Sequence, residues 1–168
     1  IGSSGDYAKI GSSGDYAKIG SSGELAKIGS SGYSAKIGSS GDLAQIGSSG
    51  YSAQIGSSGD YAKIGSSGYS AQIGSSGDYA QIGSSGDYAQ ITSEGKNSVV
   101  MAAGFDSMAK AKIGSWITLA EWVRVNDDDK TIWKPKCVKT EYVDGEKIKE
   151  DTFYKLIDGE FKEVKEND

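Results

Sequence analysis

The chain has 168 residues, 18 Lys+Arg against 23 Asp+Glu, a net charge of -5, one cysteine and no histidine. The mildly acidic balance argues against a nucleic-acid footprint, which needs Lys and Arg to neutralise phosphates, and no apolar run approaches the ~20 residues that cross a bilayer as a helix. The lone Cys137 excludes an internal disulfide, and the lack of histidine removes the commonest general base and metal ligand.

From the first residue the chain repeats one phrase. I-G-S-S-G-x-x-A-K/Q starts at Ile1, Ile10, Ile19, Ile28, Ile37, Ile46, Ile55, Ile64, Ile73 and Ile82. Two worn copies follow, ITSEGKNSV from Ile91 and VMAAGFDSM from Val100, in which Gly95 and Gly104 keep the second glycine in place. At Ile1 the repeat is already under way, as expected of a processed chain or a fragment, and no signal-peptide pattern is visible. Cysteine usage fits a reducing cytosol and an extracellular setting alike, with the cytoplasm favoured.

The apolar positions never slip, which argues against a flexible Gly/Ser linker. Within Tyr7-Ala8-Lys9-Ile10-Gly11, alternation places Ala8 and Ile10 on one face and Tyr7 and Lys9 on the other, the pattern of a half-buried strand. Gly-Ser-Ser-Gly then offers residues that tolerate left-handed angles and close a corner. One short strand and one corner per phrase predict a parallel β-solenoid, with Ala and Ile in ladders along a thin core. The variant phrase YSA falls at Tyr33, Tyr51 and Tyr69, two phrases apart, and Leu25 and Leu43 take the other parity. Such sorting favours a two-sided coil of two phrases, so that twelve half-coils stand about 29 Å tall at about 4.8 Å per coil; a three-sided coil is the alternative.

Composition changes near Ser115, where Gly and Ser thin out and all three tryptophans follow. The solenoid is therefore assigned to residues 1–112 and a small antiparallel β-meander to 113–168. WITLAEWVRV and TIWKPKCVKTEYV read as strands around an NDDDK loop, with Pro135 confining the second to an edge or bending it. Val143-Asp144-Gly145 marks a turn, and Asp158-Gly159 between two alternating runs predicts a hairpin. Open solenoid ends expose unpaired strand edges, so this module is expected to act as a cap.

Side-chain columns are the candidate sites. Tyr33, Tyr51 and Tyr69, with Phe105 on the same parity, form the candidate partner-binding stripe, although stacking alone would also account for it. Asp6, Asp15, Glu24, Asp42, Asp60, Asp78 and Asp87 form acidic columns. Calcium binding of the β-roll kind is set aside for them, because the phrase lacks G-G-x-G-x-D order and tyrosine takes the acidic slot in three copies. Lys9, Lys18, Lys27, Lys36 and Lys63 share their position with Gln, read as a solvated face in which Gln relieves like-charge repulsion. The paired serines are expected to satisfy corner backbone groups rather than order water. Asp127-Asp128-Asp129 reads as a hairpin loop and Cys137 as a packed thiol. No catalytic, cofactor or metal site is assigned: without His no Ser-based triad can be assembled, and no Ser–Lys pair stands out among identical copies.

The phrases IGSSGDYAKIGSSGYSAQ, followed by GSWITLAEW and VDGEKIKEDTFYKLIDGEF, resemble a group of uncharacterised proteins of gut-associated Gram-positive bacteria and their phages. Those have repeats of varying number and a C-terminal domain of unknown function. The resemblance covers nearly the whole chain and implies no activity and no site residues. SAKIG and SVVMAAG are also similar to the β-roll heads of trimeric surface adhesins, which use a longer repeat.

The expectation is a non-enzymatic binding or scaffolding protein, its rigid rod presenting ladders to a protein partner or to another copy of itself. No membrane association or direct nucleic-acid binding is expected. Two alternatives are a phage-derived inhibitor of a host defence or nucleic-acid enzyme, acting by acidic mimicry, and an enzyme activity in the C-terminal module.

Overall fold

The computed structural model describes residues 1–127 and 130–166. It is a two-sided parallel β-solenoid with no helix among the described residues. Its rungs are β1 (Gly2–Ser3), β2 (Lys9–Ser12), β3 (Lys18–Ser21), β4 (Lys27–Ser30), β5 (Lys36–Ser39), β6 (Gln45–Ser48), β7 (Gln54–Ser57), β8 (Lys63–Ser66), β9 (Gln72–Ser75), β10 (Gln81–Ser84), β11 (Gln90–Ser93), β12 (Val99–Ala102) and β13 (Met108–Lys110). Odd and even rungs alternate between two sheets. Each residue pairs with its counterpart 18 residues on, as Ile28 with Ile46 and Ile37 with Ile55, so two phrases make one coil.

The rung is Lys/Gln-Ile-Gly-Ser, starting two residues and ending one residue after the strand that alternation suggested. Ile and the first serine point inward, Lys or Gln and the first glycine outward, and alanine is buried just before the rung. The two sheets share a single core of Ile and Ala extending into the C-terminal module. Hydrogen bonds between coils continue around the corners. Lys27 N–H donates to Ala8 O at 2.8 Å, Ser22 N–H to Ser3 O at 3.0 Å, and Tyr7 N–H to Glu24 O at 2.8 Å. Almost the whole phrase is thus paired with its neighbours, which meets the demand that buried backbone groups be satisfied.

The corners differ from the expectation in one respect. Their left-handed residue is not a glycine but the seventh of the phrase, with φ of 57° at Leu25, 54° at Ser52 and 56° at Tyr61. The second glycine serves close approach instead. A Cβ on Gly59 would lie 2.2 Å from the carbonyl oxygen of Gly41 in the preceding coil. The same steric bar holds at Gly95 and Gly104, which explains why the worn copies retain them. The first glycine meets no such bar: a Cβ on Gly56 has nothing within 4 Å, and Thr92 and Met101 occupy that position in the worn copies.

The C-terminal module continues both sheets. Strand β14 (Trp116–Asp127) lies parallel on β12 and turns back antiparallel as β15 (Lys130–Tyr142); Asp128 and Asp129 of the expected NDDDK loop lie outside the described residues. Strand β16 (Phe153–Ile157) pairs antiparallel with β13 and then with β17 (Glu160–Val164). The meander is therefore divided into two hairpins, one ending each sheet. Pro135 sits on the edge strand β15, where the register shifts between Glu121 and Trp122, so the proline's missing N–H costs no ladder bond further out. Asp158 and Gly159 both have positive φ, 53° and 72°, as a two-residue hairpin turn of primed type requires. Ile117, Leu119, Val143, Ile148, Tyr154 and Leu156 close the end of the core.

The two glycines of the phrase therefore differ in kind. Gly59→Ala is expected to destabilise the protein by about 2–3 kcal/mol through overpacking. Gly56→Ala should stabilise it by roughly 0.5–1 kcal/mol by reducing unfolded-state freedom. Urea unfolding of the two variants measures the difference, and equal midpoints would refute the steric assignment.

Candidate functional site

Position 6 of the phrase opens each corner and position 7 carries its positive φ, so their side chains project from the two edges of the flattened coil. One edge carries an unbroken aromatic column. Ring centroids are 5.8 Å apart for Tyr16–Tyr33, 5.2 Å for Tyr33–Tyr51, 4.9 Å for Tyr51–Tyr69 and 5.0 Å for Tyr69–Tyr88. Tyr88–Phe105 at 5.5 Å and Phe105–Trp133 at 4.4 Å complete a run of seven rings. The sequence-predicted Tyr33, Tyr51, Tyr69 and Phe105 all lie in it. Tyr16 and Tyr88 stand one position later in their phrases and swing into the same stack, a placement that their parity could have suggested. Trp133 comes from the β14–β15 hairpin, and no local pattern announces it.

Tyr33, Tyr51 and Tyr69 are 44%, 45% and 41% exposed. Their planes are nearly parallel, 6° and 13° between neighbours, so each ring covers its neighbour's face and offers solvent its edge and hydroxyl. Desolvation within the stack raises the Tyr69 phenol above its usual 10.0, helped by the Tyr88 phenol and the Asp87 carboxylate. The five tyrosines of the column set a row of phenolic hydroxyls along an apolar ridge. Among the described residues the opposite edge has only a short stack, Tyr61–Tyr79 at 5.0 Å, with leucines at positions 25 and 43.

The aspartates also serve the stack. Asp6 Oδ1 accepts from Glu24 N–H at 2.9 Å, Asp42 from Asp60 at 2.9 Å, Asp60 from Asp78 at 2.8 Å and Asp87 from Phe105 at 2.8 Å. Each carboxylate thus satisfies a corner N–H of the next coil. The serines divide. Ser3, Ser12, Ser48, Ser66 and Ser84 accept from the N–H of the glycine two residues on, as expected of corner hydroxyls. Ser21, Ser39, Ser57, Ser75 and Ser93 of the nine-stranded sheet, with Ser30 of the eight-stranded one, point inward without a hydrogen-bond partner among the described residues. Lys and Gln line up outward on both sheets, and Gln54 Nε2 donates to Gln72 Oε1 one coil away at 3.5 Å.

Between the two terminal hairpins lies a cavity of about 200 Å³ bordered by Phe105, Glu121, Trp122 and Lys155. Sequence reasoning passed over Glu121, which ties the hairpins together. Its Oε1 accepts from Lys136 Nζ at 2.8 Å, and its Oε2 accepts from Gly159 N–H at 2.7 Å and from the Cys137 thiol at 3.6 Å. The Cys137 side chain is half-buried against the core, as a packed thiol. Trp122 Nε1 donates to Ala103 O at 3.0 Å, and Lys155 pairs with Asp106 at 2.8 Å. In the preceding turn, Asp144 Oδ1 accepts from the N–H groups of Glu146, Lys147 and Ile148.

In comparisons with known proteins, no family model, no curated protein and no solved structure matches the chain.

The Lys136 bond holds the Glu121 carboxyl below its usual value of 4.5, with Gly159 N–H adding to it against desolvation. The Asp144 carboxylate is likewise held below 3.8, chiefly by Glu146 N–H. A lowered native pKa contributes stability that is present above the usual value and lost as the pH falls through the native one. Unfolding midpoints measured from pH 6 to pH 3 are expected to fall more steeply in the wild type than in a Glu121→Gln, Asp144→Asn double variant. Superimposable profiles would show that these carboxylates do not hold the cap.

Proposed function

We propose that the protein is a non-enzymatic binding or scaffolding rod whose aromatic edge docks a protein partner or a second copy of the chain. The observation that carries this reading is the run of seven rings from Tyr16 to Trp133, exposed except at half-buried Phe105. Stacking rewards such a column by about 0.5–1.5 kcal/mol per pair, but stacking alone does not require it to be unbroken; the opposite edge does without. A ridge already rigid in the free protein loses little side-chain entropy on docking, and aromatic residues are the commonest anchors of protein interfaces. The proposal includes kinship with the IGSSG-repeat proteins of gut bacteria and their phages.

A second reading draws on the acids. Asp6, Glu24, Asp42, Asp60 and Asp78 stack along the other edge at one-coil spacing, about 4.8 Å. That charge row suits a phage-derived inhibitor imitating a polyanion. Salt-sensitive competition with DNA for a host enzyme would separate it from aromatic docking.

The triple variant Tyr33→Ala, Tyr51→Ala, Tyr69→Ala tests the main reading. Circular dichroism should show the solenoid intact, while self-association in light scattering, or capture of the wild-type chain's specific host partner, should fall at least tenfold. Unchanged association and unchanged capture would reduce the column to a structural stack.

A further inference from the structure

The first glycine of each phrase is a choice that the fold does not impose. On the eight-stranded sheet Gly11, Gly29, Gly47 and Gly65 face outward with nothing within 4 Å of a Cβ, and their φ is not positive. Glycine weakens a strand, and inside one it often marks a place where another backbone approaches closely. Further up the same column Met101 and Thr118 carry side chains without disturbing the register. The glycines open a groove of about 1040 Å³ along the rod, ending where Met101 closes over Gly83. One rim is the column Lys9, Lys27, Gln45, Lys63 and Gln81. The other carries the exposed hydroxyls of Ser31, Ser49 and Ser67. Lys9, Lys27 and Lys63 form no ion pair among the described residues.

The nine-stranded sheet has the equivalent groove, and there an occupant is visible. Past β17 the chain's own C-terminal segment enters its end, where Gln90 Nε2 donates to the backbone carbonyl of Glu166 at 3.2 Å. A backbone carbonyl of the chain, at Glu166 just beyond β17, thus lies against the Gln rim of one face. The same rim on the opposite face has three free ammonium groups and an open floor.

We propose that the glycine-floored groove of the eight-stranded sheet binds an extended acidic peptide segment of a partner protein. The visiting backbone lies on the bare glycines, Gln45 and Gln81 take its carbonyls as Gln90 takes that of Glu166, and its carboxylates pair with Lys9, Lys27 and Lys63. From Gly11 to Gly83 the floor spans four coil steps, about 19 Å, room for roughly six extended residues. The site goes beyond the aromatic edge and lies apart from it, on a face rather than a corner.

The test is fluorescence anisotropy of a labelled octapeptide of alternating Glu and Ser, titrated with the full chain at low and moderate salt. Saturable, salt-weakened binding is expected. Gly47→Thr with Gly65→Thr should weaken it at least tenfold without lowering the melting temperature, since Thr118 already stands in that column. Lys27→Gln with Lys63→Gln, the residue used by neighbouring rungs, should do the same and reduce the salt dependence. Gly56→Thr with Gly74→Thr on the other sheet, and the triple tyrosine variant, should leave binding unchanged. Absence of saturable binding, wild-type binding by the threonine-filled groove, or loss in the tyrosine variant would overturn the proposal. So would tighter binding of polygalacturonate than of the peptide, which would assign the groove to acidic polysaccharide.

Discussion

The structure depends on how closely one coil lies upon the next. At the second glycine of the phrase the backbone of a coil rests on a carbonyl of the coil before it, with space for a hydrogen atom and no more, as at Gly41 over Gly23, where a Cβ would come within 2.0 Å. That contact repeats at every corner from Gly23 to Gly104, so the 18-residue period cannot drift. A one-residue insertion would also turn Ile outward and Lys inward along the rung, because strand side chains alternate with period two. Corner and rung therefore enforce the same register by independent means.

Once the register is held, like stacks on like, and each column takes the property of its residue repeated. Isoleucines make a continuous apolar spine, tyrosines a ridge of stacked rings, aspartates a set of acceptors for corner N–H groups, and lysines diluted by glutamine a solvated rim. The stack also tolerates local strain. Leu43 and Tyr61 hold left-handed angles that cost a non-glycine residue about 1–2 kcal/mol, and bonds such as Leu43 N–H to Asp60 O, at 2.8 Å, keep them there. The cap obeys the same logic: each sheet ends in its own antiparallel hairpin, and Glu121 joins the two through Lys136 and Gly159.

Much of this was legible beforehand. The Ile ladder, the two-phrase coil, the edge position of Pro135 and the Asp158-Gly159 turn follow from periodicity and from turn chemistry, both of which act over a few residues. The site was legible in part. Parity aligned Tyr33, Tyr51, Tyr69 and Phe105 and put Tyr16 and Tyr88 on the same edge, but that these two join the stack from one position later depends on the angle at which a side chain leaves a left-handed corner. The pairing of Trp133 with Phe105 joins residues 28 apart in different elements, and the Gln90–Glu166 contact joins residues 76 apart; neither leaves a trace in a local pattern.

Read as a string, the chain specifies which residues are equivalent, because a nine-residue phrase repeated without slippage has one self-consistent stacking. In the ten clean copies it does not distinguish the two glycines, and the worn copies, which keep only the second, show the difference without its cause. Packing in three dimensions separates them: one faces the carbonyl of the coil beneath and can carry no side chain, while the other faces open solvent and leaves a groove. The division of the C-terminal strands between two sheets was likewise settled only by the assembled rod, since each hairpin needs the edge of a finished coil to pair against.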